Sequence, residues 1–139
     1  MESRIKEKIE EIQQYLNELE SIKPDSLKEY LNDLKEKAAC ERYVEKIMEA
    51  VTDLSFLLIK KYDFEKPDDD QSAFKILADN DIITSKVLEK LRNAKGMKNI
   101  ISHQYGTIDD EIVFEVITQE LIKDVREFLK EVGKKIHIY

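Results

Sequence analysis

Residues 92–105 read R-N-A-K-G-M-K-N-I-I-S-H-Q-Y. With the residues just before them, Val87, Leu91, Ala94, Met97 and Ile101 recur at the spacing of one buried helical face. Arg92, Gly96, Asn99 and His103, at i, i+4, i+7 and i+11, fall roughly opposite. The periodicity predicts a helix capped at Thr84 or Ser85 and ending near Ser102, then a tight turn at Tyr105-Gly106-Thr107. A polar stripe of this kind is ordinarily just solvated, so spacing alone assigns it no chemistry.

The same helical bias runs through the chain. Of 139 residues only three are Gly and two Pro, which leaves little material for the tight turns of a many-stranded β fold. Charged residues make up 38%, rich in Glu and Lys, and both favour helix. The length suits one domain, residues 1–139, with a real core. The expected fold is all-α, an antiparallel bundle of four to five helices.

Taken in order, Ile5, Ile9, Ile12, Leu16 and Leu19 form one stripe and predict a first helix from about Ser3 to Ser21, ended by Lys23-Pro24. Asp25 or Ser26 can cap a short helix carrying Leu27, Tyr30, Leu31 and Leu34. A long central helix is expected over residues 35–62, with Ala39, Tyr43, Ile47, Ala50, Val51, Leu54, Leu57 and Leu58 inward. Glu41, Arg42, Glu45, Lys46 and Glu49 are expected outward. Asp68-Asp69-Asp70 reads as a solvated loop, lacking the ligand spacing and glycine of a calcium loop, and Ser72 as the cap of a short helix. Asp109 and Asp110 open the last helix, which Gly133 is expected to end, with 134–139 adding a short extended piece. The breadth of the apolar faces at Val113-Phe114 and Phe56-Leu57-Leu58 suggests a dimer interface, and a thick monomer core accounts for it nearly as well.

The lone Cys40 has no disulfide partner in the chain and sits in a helical pattern, pointing to a reduced cytoplasmic setting and a packing role. Charge from Glu2 onward argues against a signal peptide, and the longest apolar run, Phe56–Ile59, is too short for a membrane span. The net charge of −7 is the wrong sign for a surface that binds nucleic acid throughout. Locally the sign reverses: Lys86, Lys90, Arg92, Lys95 and Lys98 face one acid, Glu89.

There is no Gly-rich phosphate loop, H-E-x-x-H, zinc-type Cys pair or G-x-S-x-G, so no metal or cofactor is expected. His103 remains. An imidazole, titrating ordinarily near pH ~6.5, exchanges protons at neutrality. RNA carries its own nucleophile in the 2′-hydroxyl, so cleaving it needs only a proton acceptor, a proton donor and positive charge on the phosphate. The composition permits His103 to handle the proton, Lys98 or Arg92 the phosphate, and Asn99 to orient either group; Lys95 joins Arg92 as a substrate-binding cation.

The run G-M-K-N-I-I-S-H-Q-Y-G (96–106) resembles the signature of HepT-like proteins of the HEPN superfamily, R-x(4)-H-x-Y, usually within M-R-N-x-x-x-H-x-Y. Glu41-Arg42-Tyr43-Val44-Glu45-Lys46-Ile47 resembles that family's second-helix opening. Ser72-Ala73-Phe74-Lys75-Ile76-Leu77 with Ile82-Ile83 resembles its middle helix, so the likeness covers nearly the whole chain in order. It implies a homodimeric, metal-independent RNase toxin with catalytic residues His103, Lys98 and Asn99 in a dimer cleft. It also implies an MNT-type nucleotidyltransferase antitoxin that adds AMP to the motif tyrosine, Tyr105. One position departs from the pattern: Lys98 stands where the family has Arg, keeping the charge but losing the planar fork that grips a phosphate twice. The alternative implication is a catalytically weak module that docks a nucleotidyltransferase or binds nucleotide.

Overall fold

A computed structural model describes residues 2–103 and 109–137. Among these residues the fold is all-α. The helices are α1 (Glu2–Ile22), α2 (Leu27–Asn32), α3 (Leu34–Lys61), α4 (Asp70–Asp79), α5 (Ser85–His103), α6 (Asp110–Glu115) and α7 (Leu121–Ile136), with a π-helical turn (Val116–Glu120) joining the last two. Short polar side chains start several of them by accepting from the otherwise unpaired first-turn amides. Ser26 accepts from Glu29 N at 3.1 Å, Asp33 from Glu36 N at 3.0 Å, and Asp69 from Ser72 N at 2.7 Å. Lys60 and Lys61 complement the carbonyl end of α3.

The four long helices form a ring in the order α1, α3, α5, α7, each antiparallel to its neighbours. Glu2 at the start of α1 pairs with Lys61 at the end of α3 (2.7 Å), whereas Glu18 near the end of α1 accepts from Tyr43 near the start of α3 (3.1 Å). Ser102 at the end of α5 meets Glu45 near the start of α3, and Thr84 before α5 meets Glu131 in the second half of α7. Ile5, Ile9, Ile12, Leu16 and Leu19 are all buried, as their stripe predicts, alongside Phe74, Phe128 and Tyr30. Truncating one of the buried aliphatics to Ala would cost about 2–5 kcal/mol.

Four expectations need correction. The buried side of α3 includes Cys40, Val44, Met48 and Ile59, while Ala39, Tyr43 and Leu57 are only half-buried. α3 packs against α1, α2, α4 and α5, so its buried arc is broader and rotated from a one-sided stripe. Asp69 rather than Ser72 caps α4, and Asp70 is its first residue, so the acidic triplet is not simply a solvated loop. Glu41, Glu45 and Lys46 are half-buried rather than outward. The last helix passes through Gly133, which is buried, and ends at Ile136; His137 takes the left-handed conformation (φ 59°) and its N–H donates to Gly133 O.

Candidate active site

The candidate site lies at the C-terminal end of α5, and the bundle fixes that helix at several levels. Thr84 Oγ1 accepts from Val87 N (3.2 Å) as the N-cap, and its own N–H and hydroxyl donate to Glu131 at 2.7 and 3.0 Å. Lys90 Nζ sits 3.2 Å from Asp124 and 3.1 Å from Glu127, and hydrogen bonds to these carboxylates, Glu127 foremost, hold its ammonium above the ordinary lysine range. Lys95 is buried, with Nζ 2.8 Å from Asp70 Oδ2, tying α5 to α4. In the last turn Ser102 Oγ donates to Glu45 Oε2 at 2.7 Å.

Of the residues the sequence singles out, His103 is the last of α5 and exposed, while Arg92, Lys98 and Asn99 are half-buried on the same helix. Helix geometry puts Asn99 one turn from His103 on the same face, about 6 Å along the axis. Lys98 is about 7.5 Å away axially and some 140° around, and Arg92 is about 16 Å away. Lys95, expected to bind substrate, is engaged by Asp70 instead. Tyr105 and the turn around it lie outside the described residues.

Sequence reasoning missed the carboxylates beneath this helix end. Glu41 of α3 interacts electrostatically with its neighbour Glu45 and with Asp110 of α6, which Lys37 holds at 3.0 Å. Burial, with Asp110 and Glu45 adding and Lys37 opposing, keeps the Glu41 carboxyl above its ordinary range. The i, i+4 spacing of Glu41 and Glu45 was visible in the sequence, but not that Glu45 meets Ser102 of α5. Tyr30 is fully buried here, its ring tilted against Phe114 at 5.7 Å, and its hydroxyl has no hydrogen-bond partner among the described residues. Cys40 beside it is buried and free, and burial pushes its thiol up to about 11, in keeping with a packing role. Among the described residues no cluster of three or more His, Cys, Asp or Glu is disposed to hold a metal, and no helix is long and apolar enough to cross a membrane.

The described residues thus form an all-α ring whose third long helix ends in an exposed histidine. Residues 5–132 match the family described as Ribonuclease HepT-like, and the chain belongs to that family. It is 27% identical over 114 residues to a tRNA nuclease HepT of Aphanizomenon flos-aquae, spanning 82% of this chain and 78% of that protein. To an mRNA nuclease HepT of Shewanella oneidensis it is 26% identical over 86 residues, 62% of this chain and 64% of that protein. The fold matches the tri-AMPylated Shewanella oneidensis HEPN toxin, solved in complex with an MNT antitoxin, with a TM-score of 0.87 at 21% identity over 94% of this chain and 96% of that one.

Proposed function

We propose that the chain is the ribonuclease toxin of a toxin–antitoxin pair, cleaving RNA without a metal through His103. What carries this reading is the helix end itself: an exposed His103 beside the anchored Ser102–Glu45 pair, with Asn99 one turn back, in a member of a ribonuclease family. In this mechanism His103 takes the 2′-hydroxyl proton or returns one to the leaving oxygen, Asn99 orients imidazole or phosphate, and Lys98 supplies positive charge through its flexible stem. Arg92 extends the positive charge along the strand.

The active form is a symmetric dimer with both His103 residues at a shared cleft. Supporting this, large apolar residues stay exposed at that end of the bundle: Leu31 (44%), Leu34 (75%), Ile100 (38%) and Ile112 (49%). The partner is an MNT-type nucleotidyltransferase that silences the toxin by adding AMP to Tyr105, a reading supported by the AMPylated state of the Shewanella oneidensis complex. The half-buried Glu41 and Glu45, together with Lys98 in place of Arg, favour a second reading, in which the domain docks the nucleotidyltransferase or binds nucleotide and cleaves poorly.

Purified protein incubated with RNA separates the two. Under the first reading the wild type cleaves with or without EDTA, and His103→Ala loses roughly 100-fold or more while keeping its helical circular dichroism. Activity surviving in His103→Ala, or dying with chelation, removes this mechanism.

A further inference from the structure

The basic stretch on α5 is partly spent inside the bundle, since Lys90 and Lys95 are ion-paired. A second, exposed cationic stripe lies elsewhere. Lys123, Arg126, Lys130 and Lys134 are exposed on α7 at i, i+3, i+7 and i+11, one stripe about 16 Å long. This stripe borders an open groove of about 640 Å³ where α7 meets α1, a size suited to a small ligand or one nucleotide of a strand. Leu16 and Leu129, both buried, form its floor, and Gln13 and Asn17 line its α1 wall. Lys130 and Lys134 stand on the other wall with Arg126, which donates to Asn17 (3.2 Å) and pairs with Glu20 (2.6 Å). Glu20, paired with Arg126, sets a carboxylate beside this wall, while Lys130 and Lys134 extend the positive charge along it.

We propose that the α1–α7 groove docks single-stranded RNA, with an unpaired base lodged between the two helices and the flanking phosphates on Lys130 and Lys134. The choice of RNA as ligand rests on the ribonuclease reading above. A groove of this size beside exposed lysines admits a splayed base, which a duplex keeps stacked and paired. Cations one helical turn apart, about 6 Å along the axis, suit successive backbone phosphates. The groove runs along the seam of the ring opposite α3 and α5, so it holds substrate without taking part in cleavage.

The test uses full-length His103→Ala protein titrated with a labelled single-stranded RNA oligomer, a duplex of the same length and a free nucleoside monophosphate. The single strand binds tightest. Lys130→Glu with Lys134→Glu weakens it roughly tenfold or more and reduces the slope of log affinity against log salt by about 1.4, at about 0.7 for each phosphate no longer neutralised. Asn17→Asp, which brings a carboxylate into the groove without touching either lysine, weakens binding in the same direction. Unchanged affinity and slope in these variants overturns the proposal. So does equal binding of duplex or monophosphate, or a change in sedimentation of the lysine variant, which would mean that a second copy fills the groove. Binding with this signature but no cleavage by the wild type counts against the ribonuclease reading alone; cleavage with no effect of the variants on binding counts against the groove alone.

Discussion

Ser102 and Glu45 are joined by a 2.7 Å hydrogen bond from Oγ to Oε2, linking the last turn of α5 to the central helix one residue before His103. A bond to a charged acceptor of this kind contributes about 1.5–3 kcal/mol and limits where the neighbouring imidazole can sit. Ser102→Ala should lower the melting temperature by several degrees and reduce kcat more than it raises KM. Glu45→Gln, which still accepts a hydrogen bond, should recover part of both. Loss of stability with unchanged kcat would limit the pair to a structural role.

Lys98 is half-buried and well around the helix from His103. Under the proposed mechanism, Lys98→Arg restores the two-point phosphate grip and raises cleavage several-fold, measured on purified protein with the same RNA. If cleavage is unchanged and the protein unfolds earlier, position 98 is a packing site and the phosphate ligand lies elsewhere.

Glu41 carries a raised carboxyl pKa, so the folded chain holds that proton more tightly than the unfolded chain does. The penalty for its charge is absent below the ordinary value of 4.5, grows as pH rises through the raised value, and is complete above it. Glu41→Gln should therefore raise the melting temperature at pH 7 and give little gain near pH ~4. An equal gain at both pH values would assign the effect to packing rather than charge.

Gly96 lies in the interior of α5, and a Cβ built there meets nothing within 4 Å. Gly96→Ala should stabilise the isolated protein by about 0.5–1 kcal/mol through helix propensity, read by denaturant titration. If activity falls while stability rises, a bound partner or RNA approaches the backbone at this turn.

Tyr105 stands two residues after His103. Co-expression with a neighbouring nucleotidyltransferase should add one or more AMP masses to the protein, and Tyr105→Phe should remain toxic beside that partner. Under the proposed mechanism, AMP there would add negative charge two residues from His103 in sequence, so inhibition would be electrostatic as well as steric. Unmodified Tyr105 in the neutralised complex, seen by mass spectrometry, would leave burial of the cleft as the explanation.

Local patterns determined a good deal of this protein. The stripe from Ile5 to Leu19, the cap at Ser26, the Asp109 cap that opens α6 and the helix ending at His103 all follow from periodicity and capping chemistry, which act over a few residues; the π-helical turn that separates α6 from α7 does not. The motif around His103 was legible for the same reason, being contiguous. Where a helix touches several neighbours, its own pattern no longer says which arc is buried, and so Glu41 and Glu45 read as solvated and Lys95 as free. Only packing brought Glu45 to Ser102, Asp70 to Lys95 and the α7 lysines to the groove beside α1, because those encounters join residues 25 to more than 100 positions apart. Gly133 shows the same limit: a glycine can end a helix or lie within it, and burial against the bundle carried α7 on to Ile136.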